Sequence, residues 1–412
     1  MQKTSTIHLP SVLQLLVSGL GLTFFLPAAL GVLAMGLLSL LGGGLNGPEP
    51  LPLFSLAWVM GLSGILMVPS LAYALARLLN KPLPDWKLAN PLRAANRAML
   101  LWPLAIGIGM LSANHATLAL LVLPVIQIVA LGLPLWWLVE HGRAGLKTGT
   151  PQRNWGMVSF GLTVTATLTL VAELLVLAAA GLLVGAWLST QPELLEELNR
   201  IGQRLVYSQM NPVVIERILT PILSNPGVLF GIIAFSAGIV PLIEELIKPI
   251  VLWGFIGKRL SPAEGFALGA ICGATFALFE SLGMLLSPQA AESWGLLILG
   301  RAGTGILHTV TSAMMGWGLA SAWSERKYWS LGAAYLIAVS MHGVWNLFGM
   351  LSGFGMLIAP DAGAAGLNLA ARLGTIAPAA LLVLAGILLA MLFGFNRRLR
   401  PDDQTVPQPT VE

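Results

Sequence analysis

Eight side chains suited to chemistry sit where holding them is costly. Glu244, Glu245, Lys248, Glu280, Arg301, His308 and His342 all fall inside long apolar runs, and Asn346 follows His342 by four residues. Carboxylates and imidazoles are the groups that ligate metals, take protons and activate a solvent molecule. Each charge held in mid-bilayer costs about 2.5–3.5 kcal/mol, and five of them cost about 15 kcal/mol, comparable with the whole stability of a domain. Mutual pairing and trapped water must offset most of that cost. Such a concentration in four consecutive runs reads as a functional site.

Depth supports the same reading. Glu244 and Glu245 lie 13–14 residues outward of Lys258, about 20 Å from the inner end of their run at helical rise. His308 is about 12 residues in from the outer end of its run and His342 about 12 in from the inner end of the next. All four therefore lie near the midplane although they come from three helices, which is what a metal or catalytic site requires. Glu244 and Lys248 share a helix face, as do His308 and Ser312, and His342 and Asn346. Glu245 points about 100° away from Glu244, so the pair needs a local distortion to address one point. Pro241 and Pro249 bracket the Glu-Glu-Leu-Ile-Lys stretch and can kink it around a wet cavity. Glu280 lies about 9 Å outward of the midplane, level with Arg301. Spacing leaves it two roles, an ion pair with that arginine or a ligand of the site. Gly265, Gly269 and Gly273 repeat every four residues, a small-residue packing face.

The elements that carry these residues are membrane spans. Of 412 residues only 22 are Lys or Arg and 18 Asp or Glu, which is 10% charged against 56% hydrophobic, where soluble proteins run near 25% charged. With a mean hydropathy of +0.82, the composition argues against a soluble enzyme, a disordered chain and a basic nucleic-acid binder. Ten continuous apolar runs, about 11–42, 53–79, 94–112, 116–139, 156–187, 228–257, 263–286, 296–323, 330–351 and 374–395, predict an all-α polytopic bundle and not a barrel. The first run exceeds the apolar core of a signal peptide, so it reads as a span. Basic residues alternate across the joints. Lys3, Arg77, Lys81, Lys87, Arg93, Arg97, Arg143, Lys147, Arg153, Lys258, Arg259, Arg326, Lys327, Arg397, Arg398 and Arg400 fall on one side, and only Arg200, Arg204, Arg217 and Arg372 on the other. This asymmetry places both termini in the cytoplasm. The lone Cys272 excludes an intramolecular disulfide and a cysteine metal site.

The resulting organisation is a five-helix region over 1–190 and an external amphipathic segment over 191–227. A polar-studded core covers 228–351, an outer loop with the last span 352–396, and a disordered tail 397–412. In the first region Glu173 is the main intramembrane charge, read as a satisfied helix contact.

Four fragments of the core, in order, are Glu244-Glu245-x-x-Lys248, Phe276-x-x-x-Glu280, His308 with the small residues after it, and His342-x-x-x-Asn346. Together they resemble the PrsW family of intramembrane proteases, within the superfamily that includes CAAX prenyl endopeptidases and bacteriocin-processing proteins. The resemblance covers about residues 228–351. It implies hydrolysis of a peptide bond in or near the membrane segment of another, membrane-anchored protein, within a multi-pass protein of a bacterial cell membrane. Carried over, Glu244 is the general base with Glu245 and Lys248 supporting it, Glu280, His308 and His342 are metal or water ligands, and Asn346 stabilises the oxyanion. Such donors suit Zn²⁺, which lowers the pKa of its bound water to about 7, but a metal-free glutamate mechanism stays open. The alternative is a catalytically silent scaffold or partner-binding subunit of the same fold. A carrier is disfavoured because the charges crowd into 244–346 with no repeat in the other half.

Overall fold

A computed structural model describes residues 8–42, 49–86, 88–207, 214, 218, 226–257, 260–284, 291–357 and 365–401. Among these the chain is helical and forms no strand. In order the helices are α1 (Leu9–Leu41), α2 (Pro50–Leu78), α3 (Pro91–Met99), α4 (Trp102–Ala113), α5 (Ala116–Arg143) and α6 (Pro151–Phe160). A π-helical segment, Gly161–Thr165, leads into α7 (Ala166–Leu188), and α8 (Pro192–Tyr207) follows. α9 (Pro226–Ile233) passes through a second π segment, Ala234–Ile239, into α10 (Val240–Ile247) and the short α11 (Ile250–Trp253). Then come α12 (Pro262–Met284), α13 (Ala291–Glu325), α14 (Tyr328–Leu357) and α15 (Ala365–Leu399).

Local sequence sets many of the starts. Asn90-Pro91, Thr150-Pro151 and Ser261-Pro262 each place an oxygen-bearing cap before a proline whose missing N–H costs nothing in the first turn. The Asn90 side chain accepts from Arg93 N–H at 3.0 Å and Thr150 from Arg153 N–H at 3.3 Å, and Ser261 accepts from Glu264 N–H at 3.2 Å. α8 falls within the segment read at 191–227, with Glu193 in its first turn, Arg204 in its last and an Arg200–Glu196 pair across one turn at 3.1 Å; most of 208–225 lies outside the described residues. Residues 402–412, most of the expected tail, lie outside the described residues, and α15 continues through Arg397 and Arg398 to Leu399.

Among the described residues eight helical stretches are long and apolar enough to cross a membrane, and the α3–α4 pair, bent by 41°, makes a ninth if it is one broken span. The run read at 296–323 lies in α13, which at 35 residues is about 52 Å long. It is less apolar than the others because much of it faces protein: Leu307, Val310, Thr311, Ser312, Ala313 and Leu319 are all fully buried.

The chain forms two compact units, one of Met1–Ala166, Lys248–Ala338 and Ile387–Glu412 and one of Thr167–Ile247 and Val339–Gly386. In the first, α12 and α13 run with their backbones in contact. A Cβ on Gly265 would lie 2.4 Å from the Gly316 carbonyl oxygen, on Gly269 2.2 Å from that of Ser312, and on Gly273 2.0 Å from that of His308. The small-residue face is thus a packing face, as its spacing predicts. Trp294 of α13, 2% exposed, is seated directly on Gly109 of α4. Asn396 of α15 donates to the Gly142 and Ala144 carbonyls at 2.9 and 3.0 Å, satisfying acceptors that the end of α5 leaves over.

A buried polar zipper joins α1, α2 and α6. Gln14 donates to the Ser70 carbonyl at 3.2 Å, the Ser70 hydroxyl at 2.9 Å and the Gln152 carbonyl at 3.1 Å. Ser18 donates to Ser70 at 2.8 Å and to Ser159 at 3.2 Å. Interhelical hydrogen bonds in membranes average about 0.6 kcal/mol each. Gln14→Leu is therefore expected to destabilise the protein by about 1–2 kcal/mol, read as a lower thermal midpoint in detergent, and an unchanged midpoint would make the zipper decorative.

Candidate functional site

The second unit holds the paired carboxylates. The π segment Ala234–Ile239 precedes α10, and the helix stops at Lys248–Pro249 before α11 restarts it. A π segment accommodates one extra residue in the helix and turns the residues beyond it by about 100°. Both neighbouring glutamates then face one imidazole. Glu245, wholly buried, has Oε1 2.8 Å from His342 Nδ1, and Glu244, 7% exposed, has Oε2 3.9 Å from Nε2 of the same ring. The short contact is a hydrogen bond that fixes the ring, with Nδ1–H donating to Glu245, and leaves the Nε2 lone pair turned towards Glu244. At 3.9 Å the second contact is too long for a hydrogen bond. It is shorter than the sum of a Zn–N and a Zn–O bond, about 4.1 Å, so both atoms can reach one ion.

His342 is 2% exposed on α14, and Asn346 follows it one turn on. Asn346 Nδ2 donates to the Ser236 carbonyl inside the π segment at 2.9 Å. Gly343 sits against the same segment, where a Cβ would come within 2.4 Å of the Ala237 carbonyl oxygen.

The first unit holds the other polar residues. Lys248 is fully buried, with Nζ 2.7 Å from His308 Nδ1 and 4.8 Å from the centre of the Phe276 ring, a cation–π seat. Phe276 also meets the His308 ring edge-on at 5.4 Å. An ammonium donor on Nδ1 leaves the imidazole proton on Nε2, which faces Glu280 Oε2 at 2.9 Å. The same oxygen of Glu280 lies 2.8 Å from Arg301, whose Nε donates to Ser281 at 2.9 Å. Of the two roles that spacing left to Glu280, the ion pair with Arg301 is present, and the carboxylate reaches His308 besides. Gly273 sets the height of this group, since it seats α12 on the His308 carbonyl.

Each of the eight polar residues is thus engaged with another of the set or with a neighbouring backbone carbonyl. Spacing could not show what Phe276, Ser236 and Gly343 do. The signals for them were the aromatic one turn before Glu280, Pro241 five residues beyond Ser236, and the glycine beside His342. Glu244, His308 and His342 supply a buried carboxylate and two buried imidazoles, a donor set that suits a metal ion.

Comparison with known proteins agrees with this chemistry. The family model described as PrsW family intramembrane metalloprotease matches residues 206–373, a stretch that includes all eight polar residues, while residues 1–205 lie outside it. No curated protein and no solved structure matches the chain.

Proposed function

We propose that this chain, whose residues 206–373 match the family model described as PrsW family intramembrane metalloprotease, is a membrane-embedded protease that hydrolyses a peptide bond in or near the membrane segment of another membrane-anchored protein. The observation that carries the reading is the pair of adjacent buried carboxylates addressed to the two nitrogens of His342. Such an arrangement separates two tasks. Glu245 holds the ring and its tautomer, and Glu244 remains the carboxylate placed to take a proton from a water. Lys248 and Glu280 bracket the His308 ring, and Arg301 balances the Glu280 charge. A peptide carbonyl needs a donor as it becomes an oxyanion, and the protons on Lys248 are the candidate in this set.

Zn²⁺ is the ion that buried imidazole and carboxylate donors favour, and His342 Nε2, which faces Glu244 Oε2, is the nitrogen that would hold it. Bound there, zinc would supply Lewis-acid activation of a water. In the bilayer, ten crossings with both termini in the cytoplasm fit the distribution of basic residues, and a bacterial cell membrane is the setting the family suggests.

The test is cleavage of fluorescently labelled single-span proteins by the full chain in liposomes, together with elemental analysis of the purified protein. Wild type is expected to cleave and to carry about one equivalent of zinc, and His342→Ala to lose both. Cleavage by His342→Ala at the wild-type rate would remove the site assignment. A wild type that binds such proteins and never cuts them would make the chain a scaffold.

A further inference from the structure

The helix that delivers Glu244 and Glu245 has a backbone acceptor with no backbone donor to meet it. In α-helical register the Ser236 carbonyl would accept from Val240 N–H, but Val240 N–H is donated to Phe235 instead, in π register. In π register the Ser236 carbonyl would accept from residue 241, and residue 241 is proline, which has no N–H. An acceptor stranded this way inside a membrane costs several kcal/mol unless another group serves it. Asn346 Nδ2, at 2.9 Å, serves it.

We propose that Asn346 is a positioning residue: its side-chain amide stands in for the backbone N–H that Pro241 lacks, and so fixes the π segment that aims Glu244 and Glu245 at His342. Three contacts on successive rungs of α14 make one clamp on that segment and the helix leaving it. His342 meets Glu245 at 2.8 Å, Gly343 lies against the Ala237 carbonyl, and Asn346 bonds the Ser236 carbonyl. If the segment relaxed to α-helical register, residues 244 and 245 would rotate by about 100° about the axis. The two carboxylates could not then face the two nitrogens of one ring. The amide that spacing suggests for an oxyanion is thus occupied in holding the helix that carries the base. The consequence for catalysis rests on the proposed function; the consequence for the fold does not.

Asn346→Leu removes the donor, and Pro241→Ala returns an N–H at the one position from which the backbone could replace it. The experiment is a double-mutant cycle on the full chain, reading thermal midpoint in detergent and steady-state cleavage in liposomes. Asn346→Leu is expected to lower the midpoint and to reduce kcat about 10–100-fold with KM within about twofold, the usual size of a supporting-residue loss. Asn346→Leu combined with Pro241→Ala is expected to recover most of both, to within about threefold of Pro241→Ala alone in kcat. Asn346→Ala, which likewise offers no side-chain donor, is expected to behave like Asn346→Leu and provides a second variant should leucine prevent folding. Strict additivity of the two substitutions in the midpoint would overturn the proposal. So would a midpoint that recovers without any recovery of kcat, the result required if the amide touches the substrate directly. Should no variant or wild type cleave anything, the proposed function fails, and coupling in the midpoint still decides whether Asn346 holds the π segment.

Discussion

Glu244→Gln is expected to reduce cleavage about 10²–10⁴-fold, the usual worth of a positioned general base, in a protein that folds and stays in the membrane as before. Glutamine keeps the size of the side chain and a carbonyl oxygen to face His342, and the contact it replaces is a 3.9 Å separation with no hydrogen bond across it. What it removes is the capacity to take a proton. Glu245→Gln is a different loss. The amide oxygen can still accept from His342 Nδ1, as Glu245 Oε1 does at 2.8 Å, so the ring keeps its orientation and only the negative charge behind it disappears. Partners of this kind typically account for a 10–100-fold effect. The measurement is initial rate on a labelled single-span protein in liposomes, with the thermal midpoint confirming that both variants fold. The reverse order, Glu245→Gln silent and Glu244→Gln nearly as active as wild type, would exchange or abolish the roles assigned to the two carboxylates.

Much of this site was legible in sequence because lipid makes charge expensive. A glutamate pair and two histidines read at one depth, with a lysine one turn from the pair, stand out because each charge must be compensated, and the glycines at 265, 269 and 273 stand out because their period matches one helix face. The phase of the helix that carries Glu244 and Glu245 was not legible. Within α10 the two keep the about 100° separation of a regular helix, and each faces a different nitrogen of His342. Which side of the helix they occupy depends on the π segment before them, where Asn346 of α14 bonds the Ser236 carbonyl from more than a hundred residues away in the chain. The Gln14–Ser70–Gln152 zipper was not legible, since its members lie on three helices far apart in the sequence and spacing does not say that they meet. Glu280 falls between these cases: its depth gave the pairing with Arg301, but its reach to His308 depends on how closely α12 and α13 approach.

That approach is the basis of the second large effect. Gly273→Leu is expected to abolish folding, and Gly273→Ala to destabilise the protein by about 1–3 kcal/mol and to impair cleavage out of proportion to the lost stability. A Cβ at residue 273 would stand 2.0 Å from the His308 carbonyl oxygen and 2.6 Å from its carbon. These are backbone atoms of a helix and cannot swing aside. The helices must part by an ångström or so, and the displacement falls where His308 of α13 reaches Glu280 of α12 at 2.9 Å, a contact near the limit for a hydrogen bond once lengthened. Two glycines on the same helices supply the control. Gly283 of α12 and Gly300 of α13 have nothing within 4 Å of a built Cβ, so alanine there removes backbone freedom from the unfolded chain at no steric cost and is expected to raise stability by about 0.5–1 kcal/mol. Thermal unfolding in detergent and cleavage in liposomes read both quantities on all four variants. If Gly273→Ala were tolerated as well as Gly300→Ala, the glycine face would not be what sets the position of His308, and the geometry around Glu280 would need another cause.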